Sequence, residues 1–166
     1  NPEVLQEWLR LDEDFKKNYE KLFNNFIFEV HKYLIRVTPI DTGRLRGGWT
    51  AWLDKNNQDY SRQLHDITLA EKAPGRDYHF DDKEVQEGKA DSTFDAPNPL
   101  DITILNSVPY GIYLEVGSSA LAARNFVELT RFKAEGHMER TFNKYVDKIA
   151  QEGRMAEPDP VEEITA

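Results

Sequence analysis

The chain has 166 residues, 39% of them apolar and 31% charged, which suits one domain with arms or loops at its surface. It carries 21 basic and 30 acidic residues, so it lacks the overall basic balance with which nucleic-acid-binding proteins neutralise phosphates. It has no cysteine, which excludes disulfide frameworks, thiolate metal sites and cysteine nucleophiles.

A long amphipathic helix is predicted over residues 3–37. Its apolar residues recur at intervals of three and four, and after Pro2 no glycine or proline interrupts them. The stripe consists of Val4, Trp8, Leu11, Phe15, Tyr19, Leu22, Phe26, Val30, Tyr33 and Val37. At about 1.5 Å per residue the helix would be roughly 50 Å long, so we expect one end to pack on a neighbouring subunit. The alternative is a helix in two segments, folded back on its own core.

The helix is predicted to stop at Thr38-Pro39, because a residue before proline disfavours the α conformation. Residues 39–49 then indicate a tight turn, in which Asp41 accepts backbone N–H groups and Gly43 adopts a positive φ. A strand is predicted from Trp49 to Leu53.

Two arginines of this turn differ by two positions. On an extended segment Arg44 and Arg46 would point the same way and pair with acids such as Glu115.

Residues 54–99 are mostly polar and indicate a long loop or β-hairpin inserted between two core strands, with a role in partner contact. Residues 100–105 alternate and predict a strand. After a turn at 106–109, a short helix is predicted up to Val116, with Gly117 as its C-cap. Tyr110 and Tyr113 would share one face of it, with buried rings and bonded hydroxyls.

Residues 126–132 fit a strand or the start of a helix, and a last helix is predicted over 133–152, ended by Gly153. Residues 154–166 indicate an extended acidic tail. The predicted fold class is therefore α+β, with residues 1–153 as one domain. It combines a long N-terminal helix, a small antiparallel β-sheet, a C-terminal helix packed on the sheet, and the central insertion.

Two segments, residues 39–49 and 104–117, resemble a family of tailed-bacteriophage neck or tail-component proteins. Members tend to show a P-x-D-T-G-x-L turn after a long helix, then a strand, then N-x-x-x-Y-x-x-Y-x-E-x-G, and both patterns are present in this order. The resemblance covers roughly residues 1–53 and 100–150. The motif residues are Pro39, Asp41, Thr42, Gly43, Arg44, Leu45, Arg46, Trp49, Asn106, Tyr110, Tyr113, Glu115 and Gly117.

The resemblance implies a structural virion protein with no catalytic residues, cofactor or metal. Such a protein forms a homo-oligomeric ring, a hexamer or dodecamer, at the head–tail junction of a particle assembled in the host cytoplasm. Its partners would be head connector or head-completion proteins and tail terminator, tail-tube or sheath proteins. DNA would pass through the lumen without sequence-specific binding. A tail terminator or completion factor of the same junction is an alternative, and the motif residues serve either the fold itself or subunit contacts.

The sequence leaves two other functions open. A non-viral protein-binding module, with residues 54–99 as its recognition loop, is one alternative. A metal-dependent enzyme that binds a divalent cation at His79 and Asp81, with His65 near in sequence, is another. The glycine-rich residues 42–48 lack the Gly-Lys-Ser/Thr ending of a P-loop, and 117–119 are not a nucleophile elbow.

Three further expectations follow from the sequence. His31 and His137 are expected to be ordinary surface or partly buried side chains. The sequence contains no run of about 18 apolar residues, so no membrane span is predicted. The start of the sequence shows no signal-peptide pattern.

Overall fold

The computed structural model describes residues 2–40, 42–50, 82–98 and 100–165. The elements in chain order are α1 (Pro2–Val37), α2 (Arg44–Gly47), α3 (Asp82–Ala90), β1 (Ser92–Asn98), β2 (Asp101–Asn106), α4 (Gly111–Val116) and α5 (Phe126–Glu152). The chain is α+β as predicted, with a long N-terminal helix, an antiparallel pair of strands and a long C-terminal helix.

Helix α1 is one uninterrupted helix of 36 residues, so the two-segment alternative is wrong. It ends at Val37, where the sequence predicted its end. The next residue, Thr38, is fully buried, and its hydroxyl donates to the carbonyl of Leu34 at 2.7 Å. This bond supports the last turn of the helix just before Pro39.

Strands β1 and β2 form a hairpin, which confirms the strand predicted at residues 100–105. The register pairs Phe94 with Ile104 and shifts by one residue between Asp95 and Asn98. Pro97 lies in this irregular stretch, and it has no N–H to give to a ladder. Phe94, Ile104 and Ile102 pack against Ile35 of α1, so the sheet covers the C-terminal part of that helix.

Helix α5 packs mainly along α1, and this corrects the prediction that it packs on the sheet. Tyr19 meets Phe142 at 4.9 Å between ring centroids, and Phe26 meets His137 at 6.1 Å, so the two helices run antiparallel. The aromatic stripe of α1 needs a long apolar partner, and α5 supplies one. The sheet packs on a different part of α1, around Ile35.

Three boundaries differ from the sequence prediction. Trp49 and Thr50 do not start a strand: their amides donate to Arg46 and Gly47, which continues the turn of α2. Residues 51–53 lie outside the described residues. Within the predicted insertion, α3 and β1 are regular elements. Helix α5 begins at Phe126, so residues 126–132, predicted as a strand or the start of a helix, belong to the helix.

Candidate assembly surface

The first motif forms the one-turn helix α2, and its glycine and arginine fix how it leaves α1. Gly43 has φ 96°, a left-handed conformation that a side chain would strain, as the sequence predicted. Arg46 is buried, and its Nε and Nη2 donate to the carbonyls of Thr38 at 2.8 Å and Arg36 at 2.9 Å. A positive charge at the C-terminal end of α1 also suits the helix dipole. Arg46 therefore caps α1.

Arg44 points away from Arg46, toward α3. Its guanidinium donates to Asp91 at 2.6 Å and to Glu87 at 3.2 Å, and these bonds raise its pKa. The prediction that both arginines point the same way is therefore wrong, whereas Arg44 does pair with acids, Glu87 and Asp91 in place of Glu115. It assumed an extended backbone, whereas these residues lie in a helical turn.

Helices α2 and α3 meet backbone to backbone through two glycines. A Cβ on Gly47 would lie 2.3 Å from the carbonyl oxygen of Val85, and one on Gly88 would lie 1.9 Å from that of Arg44. Such close approach is possible only without side chains at both positions. Helix α3 was not predicted, because its polar residues show no helical apolar stripe. Gly47 and Gly88 are the residues from which a close backbone approach could have been predicted.

The second motif is tied to the first through Asn106. Its Nδ2 donates to the carbonyl of Leu45 at 2.8 Å, and its Oδ1 accepts the N–H of Val108 at 3.2 Å. Leu45, Val108 and Phe126 form one buried cluster beneath these bonds. The two motif segments, far apart in sequence, thus build one structural unit.

Glu115 caps helix α5. Its two carboxylate oxygens accept the N–H groups of Val127 and Glu128, each at 3.0 Å. A carboxylate at a helix N-terminus satisfies otherwise unpaired donors and is favoured by the dipole. Asn125, the residue at the N-cap position, makes no such bond and has φ 50°. Glu115 thereby fixes α4 against the start of α5.

The remaining motif residues lie around this unit. Pro39 follows the end of α1, and the Thr42 hydroxyl is 3.5 Å from the Arg44 amide nitrogen. Gly117 ends α4 as predicted, with φ 83°. A side chain there would crowd the backbone of Leu121 and Ala123. Asp41 lies outside the described residues.

The tyrosines of the second motif are exposed. Tyr110 is 39% exposed and Tyr113 is 58% exposed, so the prediction that their rings are buried is wrong. They line an open groove with Pro109 and Arg44.

A second groove, of about 250 Å³, opens where the two motifs meet. Leu45, Trp49 and Phe126 line it from the core, and Ile112 and Val127 stand exposed at its rim. Among the described residues, the buried indole Nε1 of Trp49 has no hydrogen-bond acceptor, which costs free energy.

Helix α4, the loop after it and the start of α5 carry exposed apolar side chains. We call the set the assembly face: Ile112, Tyr113, Val116, Leu121 and Val127. Val116 is 63% exposed. Backbone bonds from residues 124 and 125 to the carbonyls of Leu114 and Glu115 hold α4, the loop and the start of α5 together, so these side chains have fixed relative positions.

A second exposed apolar region lies at the other end of the molecule. We call residues 2–17 of α1 the arm. Its stripe residues Val4 and Phe15 and its flanking Leu9 are exposed, whereas Leu22 and Phe26 farther along the same helix are buried. This agrees with the expectation that the domain covers only part of the helix.

The described residues hold no group of three or more side chains suited to a metal ion. The residues proposed for a metal site, His65, His79 and Asp81, lie outside the described residues. None of the described helices is long and apolar enough to cross a membrane.

The two other histidines are more buried than expected. His31 donates from Nδ1 to the carbonyl of Ile27 at 2.8 Å, and His137 stacks on Phe26.

No family model, no curated protein and no solved structure matches this chain. The resemblance of its two motifs to phage neck proteins stays a prediction.

Proposed function

We propose that this chain is a structural subunit of the tailed-phage neck, which forms a ring around the DNA channel and joins the head connector to the tail. The observation that carries the proposal is the assembly face. It lies on α4, the loop after it and the start of α5, beside the groove where the two motif segments meet, and it leaves several large apolar side chains in water. Monomeric proteins rarely keep such a patch uncovered unless it binds something.

The motif residues divide between two tasks. Arg44, Leu45, Arg46, Asn106 and Glu115 are engaged within the domain. The tyrosines, by contrast, are exposed, and Tyr113 belongs to the assembly face. We therefore assign the fold-signature role to the first group and propose the interface role for the tyrosines. Tyrosine suits an interface because its ring supplies area and its hydroxyl a hydrogen bond.

The geometry of a ring explains why two apolar regions are needed. A ring closes head to tail, so each subunit must present two different surfaces that match each other. The assembly face and the arm are such a pair. One is a groove with exposed walls, and the other is a helix with an exposed apolar stripe. Helix in groove is a recurrent recognition mode.

The wider assignment follows from the motif resemblance. It gives a hexamer or dodecamer in contact with head-completion proteins and with tail terminator or tail-tube proteins. The net charge of −9 suits a lumen that repels DNA phosphates and binds no particular sequence. A tail terminator or completion role at the same junction would use the same surfaces.

The test is the mass of the purified protein, by native mass spectrometry and light scattering, alone and with head connector and tail-tube proteins. We expect a six- or twelve-subunit species, or a ring that appears only with those partners. Val116→Glu should abolish it, because burying a carboxylate in an apolar interface is costly. Asn143→Glu adds the same charge at an exposed position of α5 and should leave the ring intact.

A wild-type chain that stays monomeric and binds none of these proteins would refute the neck role and favour the binding-module alternative. Equal assembly of Val116→Glu and Asn143→Glu would instead show that the ring does not use the assembly face.

A further inference from the structure

The C-terminal tail, residues 154–165, is neither helix nor strand, yet it has a fixed course. From the end of α5 it runs back along the groove between α1 and α5. Two apolar side chains anchor it: Ala156 is 6% exposed and Ile164 is 4% exposed. An acidic segment with no regular structure normally stays in solvent, so this seating points to a groove shaped to hold it.

The groove is basic where the tail is acidic. Four carboxylates of the tail each meet a different cation, two on α1 and two on α5. Glu157 lies 3.1 Å from Lys21, Asp159 lies 2.6 Å from Lys148, and Glu162 lies 2.5 Å from Lys144. Glu163 pairs with Arg36. The bonds to Lys21 and Lys144 lower the pKa of Glu157 and Glu162.

The groove also recognises the main chain of the tail. The carbonyl of Ala156 accepts from Asn18 Nδ2 at 3.1 Å and from the Tyr145 hydroxyl at 3.2 Å. The carbonyl of Glu157 accepts from Lys148 at 3.0 Å. Bonds to peptide carbonyls and apolar anchors select an extended peptide. A nucleic-acid strand would pair with the basic side chains of the groove but would make none of the other contacts.

The tail fills its groove incompletely. Its ion pairs are mostly solvent-exposed, and such pairs contribute little each. A cavity of about 180 Å³ is lined by Leu22, His137, Tyr145 and residues 159–162 of the tail. The buried anchors and the carbonyl bonds therefore hold the tail more than its charges do.

The connection between α5 and the tail is short. Helix α5 ends at Glu152, and the tail enters the groove at Ala156, so residues 153–155 must reverse the chain. Gly153 begins this reversal in the left-handed conformation, with φ 63°, and its N–H donates to the carbonyl of Ile149 at 3.0 Å. Short reversing hinges favour exchange of the following segment between identical copies.

We propose that the groove between α1 and α5 is a binding site for an acidic extended peptide, and that in the assembled protein its occupant is the tail of a second copy. The contacts are the same whether the tail comes from its own chain or a neighbour, so exchange links copies without a new interface. The inference rests on the proposed function for the neighbouring copy in the ring.

The test uses the absence of cysteine from the chain. Full-length Lys144→Cys and Glu162→Cys are mixed and treated with a short bismaleimide, with one variant carrying a mass tag. Both positions are exposed, so the fold should tolerate the changes. We expect a mixed covalent dimer that increases with concentration and decreases at about 1 M salt, where charges are screened within about 3 Å. Lys83→Cys mixed with Glu162→Cys is the control, because Lys83 lies on α3, outside the groove, and should give little product.

The double variant Lys144→Cys, Glu162→Cys decides between the two arrangements. If it links only within one chain at every concentration, including in rings, the tail stays in its own groove and the inference is wrong. Native mass on the same samples separates the two proposals. Exchanged dimers without rings would support the tail inference and refute the neck ring, and rings with unexchanged tails would do the reverse.

Discussion

The two halves of α1 have the same apolar spacing but opposite surroundings. In residues 18–37 the stripe is covered by α5, the sheet and the tail, and Leu22, Phe26 and Tyr33 are buried. In the arm, Val4 and Leu9 remain exposed. Periodicity therefore predicts a helix and its apolar face, but it does not predict what covers that face.

The boundary between the halves lies near Phe15 and Asn18. Phe15 still meets Tyr145 at 6.4 Å between ring centroids, and Asn18 donates to the carbonyl of Ala156 near the start of the tail. Farther toward the N-terminus, Val4 and Leu9 are exposed. The arm thus continues a core helix into solvent. Three matched pairs of measurements test the difference between buried and exposed positions of the molecule.

The largest effect is expected from one substitution made in both halves. Leu22 is 1% exposed, so Leu22→Ala should lower the free energy of unfolding by about 2–5 kcal/mol through lost burial and a cavity. Leu9 is 57% exposed, so Leu9→Ala should change the dilute monomer by less than about 0.5 kcal/mol. Urea unfolding at low protein concentration measures both. Equal destabilisation would mean that the arm is packed within its own chain.

The free energy of unfolding should also depend on pH, because His31 is buried in the C-terminal half of α1. Burial lowers the pKa of His31 from 6.5 to about 4, despite its bond to the Ile27 carbonyl. As pH falls below 6.5 the unfolded chain takes up this proton first, so the folded state loses stability until pH reaches about 4. The loss attributable to His31 should approach about 3 kcal/mol.

Unfolding curves at pH 7 and pH 4.5 for the wild type and His31→Gln measure this loss, because the variant lacks the titrating group. The stability difference between the two pH values should be smaller in the variant. If both proteins lose the same amount, His31 is not the group responsible.

The smallest effects are expected from two helical glycines, and they should have opposite signs. Gly88→Ala forces a Cβ against the backbone of Arg44 and should cost about 1–3 kcal/mol. At Gly136 of α5 a Cβ would lie 3.5 Å from the flexible guanidinium of Arg140. Gly136→Ala should therefore stabilise by about 0.5–1 kcal/mol through helix propensity. Thermal unfolding resolves the signs, and a stable Gly88→Ala variant would contradict the close contact of α2 and α3.

The sequence predicted the features that depend on the backbone preferences of one residue or on the apolar pattern of one segment. The end of α1 before Pro39, the positive φ of Gly43 and the end of α5 at Gly153 each follow from one residue's backbone preferences. The strand at 101–106 follows from its alternation. These features need no knowledge of distant residues.

Features that depend on distant partners were missed. Helix α3 is stabilised by Arg44 and by contact with Gly47, neither of which its own sequence reveals. Glu115 was expected to pair with an arginine, but it caps α5, because the cap position holds Asn125 in a left-handed conformation. The start of α5 at Phe126 follows from that cap. The roles of these motif residues became visible only once both segments were folded together.

The cap that Arg46 places on α1 has a mechanical consequence. A helix of 36 residues with no glycine or proline after Pro2 is stiff, and Arg46 ties its C-terminal end to the turn that is hydrogen-bonded to Asn106 of the second motif. A force applied at the exposed tip would tilt the whole helix about this cap instead of bending it. Movement of the N-terminal end of α1 would then be transmitted to the groove where the two motifs meet.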